Sequence, residues 1–440
     1  MKITNFNIYS NINVNFNKLS FLLILVFIFL RLYSLQFPSP EKAAWKEIDY
    51  IQISKNYLKK DVQFWEPTIS WPAEAPRITA MEFPLVPYLS SRLYKLFGFN
   101  AYTLRIITLV SFILLSLYLY KIVALQTKEK SIAFLTLLLS SIIPLNLDWG
   151  RFLFSDPVIL ASIIISIYHL LKWKINDNNR SFYYAFIFFA LAILLKPTAM
   201  YAALPLLYLY YSKVGNLKPK NYYRFGVALF IAIIPAILWY AYAYHLTRVS
   251  IDVFGVFGGH NKFQTIAMLS DPGWWKTMLS RFSILFGGSY SWLGLIMLII
   301  FFIGLLSGLF EKKFRLFYFL FLSNLAFLFI VAEGNWDTNY RQYAFIASGS
   351  FFIASGFLFI GSIIYIFWEK IAASLPAFPN ANSKLLYWGM VLVILTIFSY
   401  NFFIEYPPRK DTVMHPEMHE IAKKVNDMKT ENSKLVTTGN

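Results

Sequence analysis

Acidic side chains set between apolar segments are where this chain could do chemistry. Trp45, Lys46, Glu47, Ile48, Asp49 and Tyr50 run consecutively, and Met81, Glu82, Phe83, Pro84 and Leu85 follow in the same polar stretch. A carboxylate kept beside low-dielectric material costs free energy unless it has a partner or a task. Because only 14% of residues are charged, Asp49 and Glu82 read as functional acids, suited to proton transfer. Glu47 reads as an ordinary solvated loop acid. On a regular helix it stands about 200 degrees from Asp49, so the two do not form a carboxylate dyad.

Ile48, Ile51 and Leu58 fall on one side of a helical pattern and Asp49, Gln52 and Asn56 on the other, as for a helix lying in a membrane interface. Glu82 precedes Pro84, Pro87 and an amphipathic run from Tyr88 to Phe97 that stops at Gly98, a second interfacial helix. There Glu82 is either a site acid or a helix-start acid favoured by the dipole. Asp156, before Pro157, is either a site acid or a helix cap. Lys196, Arg341 and Arg105 sit at the ends of apolar segments, where cations either hold phosphate or snorkel. His415 and His419 have metal-pair spacing, but Pro416 marks an exposed helix start.

The elements that must position these groups are membrane spans. With 58% hydrophobic and 19% aromatic residues in 440, the chain exceeds what a soluble core needs and is predicted to be all-α and polytopic. About eleven apolar runs centre on 19–37, 101–124, 130–146, 153–172, 181–196, 199–212, 224–245, 288–310, 314–332, 342–367 and 385–405. The first lacks a small-residue cleavage site and reads as a retained span. The net charge of +17 comes from residues at span ends and not from one patch, which argues against nucleic acid. Zero cysteines exclude disulfides and Cys-based metal sites.

If the spans alternate, Lys128, Lys130, Lys172, Lys174, Lys213, Lys312, Lys313 and Lys370 fall on one side, and the positive-inside rule puts that side and the N-terminus in the cytoplasm. Residues 38–100, 145–152, 246–287, 333–341 and the tail after 405 then face outward. Asp49, Glu82, Asp148, Asp156 and Asp337 are all on that outer side. Lys196, Arg341 and Arg105 lie there too, against the usual charge bias.

These residues in this order resemble the GT-C glycosyltransferases of the protein O-mannosyltransferase and lipid A aminoarabinose transferase type. The resemblance rests on Asp49 with Tyr50 and Asn56, on Glu82 to Leu85, on the Leu96-Phe97-Gly98 ending, on Arg105 and on Asp156-Pro157. It implies a GT-C transmembrane catalytic domain over 1–405, with interfacial helices in the first outer loop, 38–100. It also implies an inverting transferase that moves a sugar from a polyprenyl-phosphate carrier to a glycan, lipid or protein acceptor outside the cytoplasm. Carried over, Asp49 matches the catalytic aspartate and Glu82 and Asp156 match cavity acids. Lys196, Arg341 and Arg105 would hold the donor phosphate, and Glu82 would share a divalent metal with an outer-loop histidine, here His260. The natural setting is a bacterial inner (plasma) membrane, with site and C-terminus extracytoplasmic. Residues 406–440 read as a helix over 414–429 and the opening strand, 434–439, of an α/β unit either lost or truncated. The rival expectation is a lipid-linked sugar flippase or transporter, although the chain shows no internal repeat and its acids cluster at one membrane face.

Overall fold

A computed structural model describes residues 9, 12, 14–34, 41–59, 61–69, 78–215, 219–248, 256–257, 263, 265–287, 291–375, 379 and 382–405. His260 and residues 406–440, including His415 and His419, lie outside the described residues. The chain forms α1 (Phe16–Ser34), α2 (Glu41–Asn56), α3 (Leu85–Phe97), α4 (Ala101–Thr127), α5 (Lys130–Ile142), α6 (Pro144–Trp149), α7 (Ser155–Asn176) and α8 (Asn179–Leu195). A 3₁₀ turn over Pro197–Ala202 leads to α9 (Ala203–Val214), α10 (Pro219–Leu246), α11 (Thr265–Ser270), α12 (Pro272–Gly287) and α13 (Ser291–Ser307). Then come α14 (Arg315–Ile330), α15 (Ala332–Asp337), a second 3₁₀ stretch over Asn339–Phe345, α16 (Ile346–Ser374) and α17 (Ser383–Glu405). No strand occurs among the described residues beyond an isolated bridge between Thr68 and Ile78.

Every predicted apolar run lands on a helix, but the count of eleven spans does not follow. Among the described residues six helices are long and apolar enough to cross a bilayer, and α12 with α13, inclined by 92°, brings the number to seven if that bent pair is one span. α5, α8 and the apolar part of α17 are shorter. Prolines explain part of this: α5 ends just before Pro144, and Pro197 opens a 3₁₀ turn that takes up the start of the run 199–212 and leaves α9 only from Ala203. At 1.5 Å per residue the 17 residues of α8 fall short of a hydrocarbon core about 30 Å thick. The protein is an integral membrane protein.

α5 is enclosed along almost its whole length, and α7 and α16 are mostly buried, whereas only 22% of the apolar window of α10 is covered. α7 packs against α4, α8 and α9, and α16 against α5 and α13. Gly304 of α13 and Gly356 of α16 let those two helices meet backbone to backbone, since a Cβ on either would run into a carbonyl oxygen of the other.

The first loop folds as its sequence predicts, with α2 and α3 packed on each other and on the start of α4. Gly98 ends α3 at φ +76°, a conformation that costs a glycine nothing. The stretch 246–287, expected as an outer loop, instead contains α11 and α12. Trp274 of α12 is fully buried and its indole N–H donates to Ala332 O at 3.0 Å, while Arg281 donates to the carbonyls of Asn335 and Trp336. These bonds tie α12 to the segment that carries Tyr340 and Arg341.

Candidate active site

α2 presents two polar faces to the bundle. On one, the Glu47 carboxylate takes both arms of Arg105, Nε at 2.9 Å and Nη2 at 3.0 Å, and also accepts the Leu153 N–H at 2.9 Å. Glu47 is 2% and Arg105 4% exposed. Glu47 is therefore no solvated loop acid. Arg105 was expected to hold the donor phosphate, but its guanidinium fork is engaged by Glu47, so the pair clamps α2 to the start of α4 and to the turn before α7.

On the other face, Lys46 and Tyr50 stand one helical turn apart and point at Glu82 and Asp156. Lys46 Nζ lies 3.4 Å from Glu82 Oε1 and 3.7 Å from Asp156 Oδ2. Lys196 Nζ donates to Asp156 Oδ1 at 2.8 Å and lies 3.9 Å from Glu82 Oε1. The Tyr50 hydroxyl donates to Glu82 Oε2 at 2.9 Å; having spent its one proton there, it accepts from Ser155 Oγ at 2.5 Å. The Tyr340 ring lies beneath both ammoniums, with its centroid 4.8 Å from Lys46 Nζ and 5.4 Å from Lys196 Nζ, and 5.7 Å from the Arg341 guanidinium carbon. Asp156, Lys196, Arg341 and Tyr343 line a cavity of about 20 Å³, room for about one water.

Local structure places each group. Asp156 lies in the first turn of α7, where the helix dipole favours a carboxylate, while the capping position is Phe154, which offers no side-chain cap. Lys196 caps α8 in extended conformation, as a residue before proline prefers. Glu82 precedes α3 and Arg341 rides the 3₁₀ stretch before α16. Asp49, 8% exposed, precedes Tyr50 on α2.

Burial alone would raise the Glu82 carboxyl, but the Lys46 and Lys196 ammoniums outweigh it and hold it below its ordinary value of 4.5. Burial would likewise lower Lys46, but Glu82, Tyr340 and Asp156 lift it well above 10.5. Glu82 therefore contributes stability that is fully present above pH 4.5 and is lost as pH falls through its depressed value. Lys46 contributes stability present below its ordinary value and lost only above it. The thermal midpoint of Glu82→Gln should accordingly lie below that of wild type at neutral pH, with the gap closing in acid below about pH 4. A gap that stays constant from pH 3 to 8 would contradict the ion pairing.

The structure thus brings together Glu82, Asp156, Lys196 and Arg341, and adds Lys46, Tyr50, Ser155 and Tyr340. Lys46 was not singled out by the sequence, because Lys42, Lys55, Lys59, Lys60 and Lys95 lie in the same loop. A metal on Glu82 fits poorly, because Oε1 faces two ammoniums and Oε2 accepts from Tyr50. Among the described residues no three His, Cys, Asp or Glu side chains gather as a metal site.

Many-span helical architecture with a charged cluster at the helix ends defines a polytopic membrane protein. Residues 79–239 match the family described as dolichyl-phosphate-mannose-protein mannosyltransferase. The fold is similar to ArnT from Cupriavidus metallidurans bound to undecaprenyl phosphate, with TM-score 0.55 and 14% identity over 89% of this chain and 72% of that one. The apo form of the same ArnT gives 0.54, at the same identity and coverage. No curated protein sequence matches this chain. The protein has the GT-C fold of the protein O-mannosyltransferase and lipid A aminoarabinose transferase type.

Proposed function

We propose that this protein transfers a sugar from a polyprenyl-phosphate carrier to an acceptor on the extracytoplasmic face of the plasma membrane, with inversion. The observation that carries this is the charge of the cluster. Lys46, Lys196 and Arg341 gather around Glu82 and Asp156, one cation more than the two carboxylates they surround, and cations so placed can meet the negative charge of a phosphodiester donor. As the glycosidic bond breaks, the carrier leaves as a phosphate monoester with a second developing charge. Preorganised ammoniums in a water-poor site stabilise that charge most at the transition state. The ArnT structure containing undecaprenyl phosphate supports the same class of donor.

The acceptor hydroxyl needs a base as the anomeric carbon gains oxocarbenium character. Glu82 and Asp156 are each neutralised by lysine and make weak bases, so Asp49 takes that role. Glu82 and Asp156 hold the lysines in place. Asp156 Oδ2 is buried, accepts no hydrogen bond from the described residues and faces Lys46 Nζ at 3.7 Å. Lys46, Glu82, Asp156, Lys196 and Arg341, drawn from separate connections and helix ends, meet in one cluster, as a two-substrate reaction at a membrane surface requires.

The test is to supply the protein in nanodiscs with a panel of radiolabelled polyprenyl-phosphate sugars and membrane extract. Label moved to an acceptor supports transfer, whereas donor crossing the bilayer of liposomes without transfer would establish the flippase instead. Lys196→Ala should lower kcat/KM by about 100-fold, with Lys196→Arg recovering part of it because charge returns without the compact ammonium geometry. Equal turnover in all three proteins would remove Lys196 from phosphate stabilisation.

A further inference from the structure

A second and much larger cavity, about 540 Å³, opens on the far side of the Glu82-Phe83 segment. Its wall and the charged cluster share two stretches of chain. Phe83 lines the cavity while Glu82 belongs to the cluster, and Leu194 lines it two residues before Lys196. Adjacent Cα atoms are 3.8 Å apart, so the wall of this cavity and the charged cluster are built on the same two pieces of backbone.

The lining is mixed in a specific way. Trp65, Phe83, Trp239 and Tyr242 supply four aromatic rings, and Gln63 and Glu66 add an amide and a carboxylate. Trp239 spends its indole N–H on Met81 O at 3.3 Å and is 4% exposed, with Phe83 edge-on to it at 5.2 Å. It is therefore fixed. Trp65 stands 6.4 Å from Trp239, has Phe64 edge-on at 4.9 Å and is 55% exposed, so among the described residues much of its ring surface is left uncovered. Aromatic faces carry negative charge density that attracts polarised C–H groups. An amide and a carboxylate beside them match hydroxyls, whereas a purely hydrocarbon occupant would leave the Glu66 carboxylate facing apolar atoms at a cost. The volume falls in the range of small-ligand pockets, about 300–1,000 Å³.

We propose that this cavity is a sugar-ring subsite, in which a glycosyl ring stacks on Trp65 and hydrogen-bonds Gln63 and Glu66. The ring belongs either to the acceptor or to the donor. The proposal depends on the transferase reading only for which of these it is.

Saturation-transfer difference NMR on the protein in nanodiscs, with a panel of methyl hexosides and methyl pentosides as probes, tests binding without requiring turnover. Ring-proton signals are expected in wild type. Affinity should weaken about 3–10-fold in Trp65→Ala and return in Trp65→Phe. Trp65 is exposed enough for these variants to fold, which their thermal midpoints check. Ring signals indifferent to Trp65, or none at all, would overturn the proposal. So would displacement by decaprenol of ring signals that Trp65→Ala does not affect, since the cavity would then hold hydrocarbon. With an active transferase, a raised KM for the acceptor or for the donor in Trp65→Ala assigns the ring to that substrate. Ring binding without any turnover would leave the subsite standing and count against the transferase.

Discussion

Asp49→Asn is expected to lower turnover by about 10²–10⁴-fold, the range that a positioned general base contributes, while polyprenyl-phosphate binding stays within severalfold of wild type. The substitution is nearly isosteric and removes the proton acceptor alone. No other carboxylate in reach can substitute, because Glu82 and Asp156 each face a lysine ammonium within 4 Å and protonation would break those pairs. Single-turnover label transfer, with carrier binding measured in parallel, separates the two effects. Full turnover in Asp49→Asn would end the assignment of Asp49 as base and pass the question to Asp156, whose Oδ2 accepts no hydrogen bond from the described residues. Loss of binding together with turnover would make Asp49 a structural residue of α2.

The second large effect is on stability. Glu47→Ala should destabilise the protein by about 3–5 kcal/mol, because it leaves the Arg105 guanidinium buried with its charge uncompensated. The pair is nearly inaccessible, the bond is bidentate, and the same carboxylate also receives the Leu153 N–H. The double variant Glu47→Met with Arg105→Met should be less destabilised than Glu47→Ala, since no charge remains buried. It should still lose about 1–3 kcal/mol from the orphaned Leu153 N–H. Thermal or denaturant unfolding of wild type, Glu47→Met, Arg105→Met and the double variant in one detergent gives the coupling as a double-mutant cycle. An additive cycle would mean that the clamp does not couple. The clamp sets the azimuth of α2, so activity should fall in both variants, and in the single variant before unfolding begins.

Much of the architecture was legible because it depends on local pattern. Apolar runs have to be helical in a bilayer, where every backbone N–H and C=O must be satisfied within its own segment. Pro84 and Gly98 bracket α3 by backbone chemistry alone. The same local logic gave about eleven spans, a count that helix length and composition among the described residues do not confirm. Hydropathy treats 199–212 as one run although its first residues belong to a 3₁₀ turn and α9 begins only at Ala203, and it is blind to α12, whose Trp274 and Arg281 are stabilised by distant carbonyls on α15.

By itself the sequence determined an all-helical membrane protein, interfacial helices in the first loop, and the acids and cations of one face as the place to look, because each of these follows from side-chain polarity and spacing within a few turns. Only the tertiary structure decided which acid meets which cation. Glu47 and Lys46 are neighbours in the chain, yet their side chains leave α2 about 100 degrees apart. One closes on Arg105 as a buried clamp and the other reaches Glu82 and Asp156. That division rests on the rotation of α2 against α4 and α7, a packing property that no residue type encodes alone, and it separates the group that holds the site together from the groups placed to act in it.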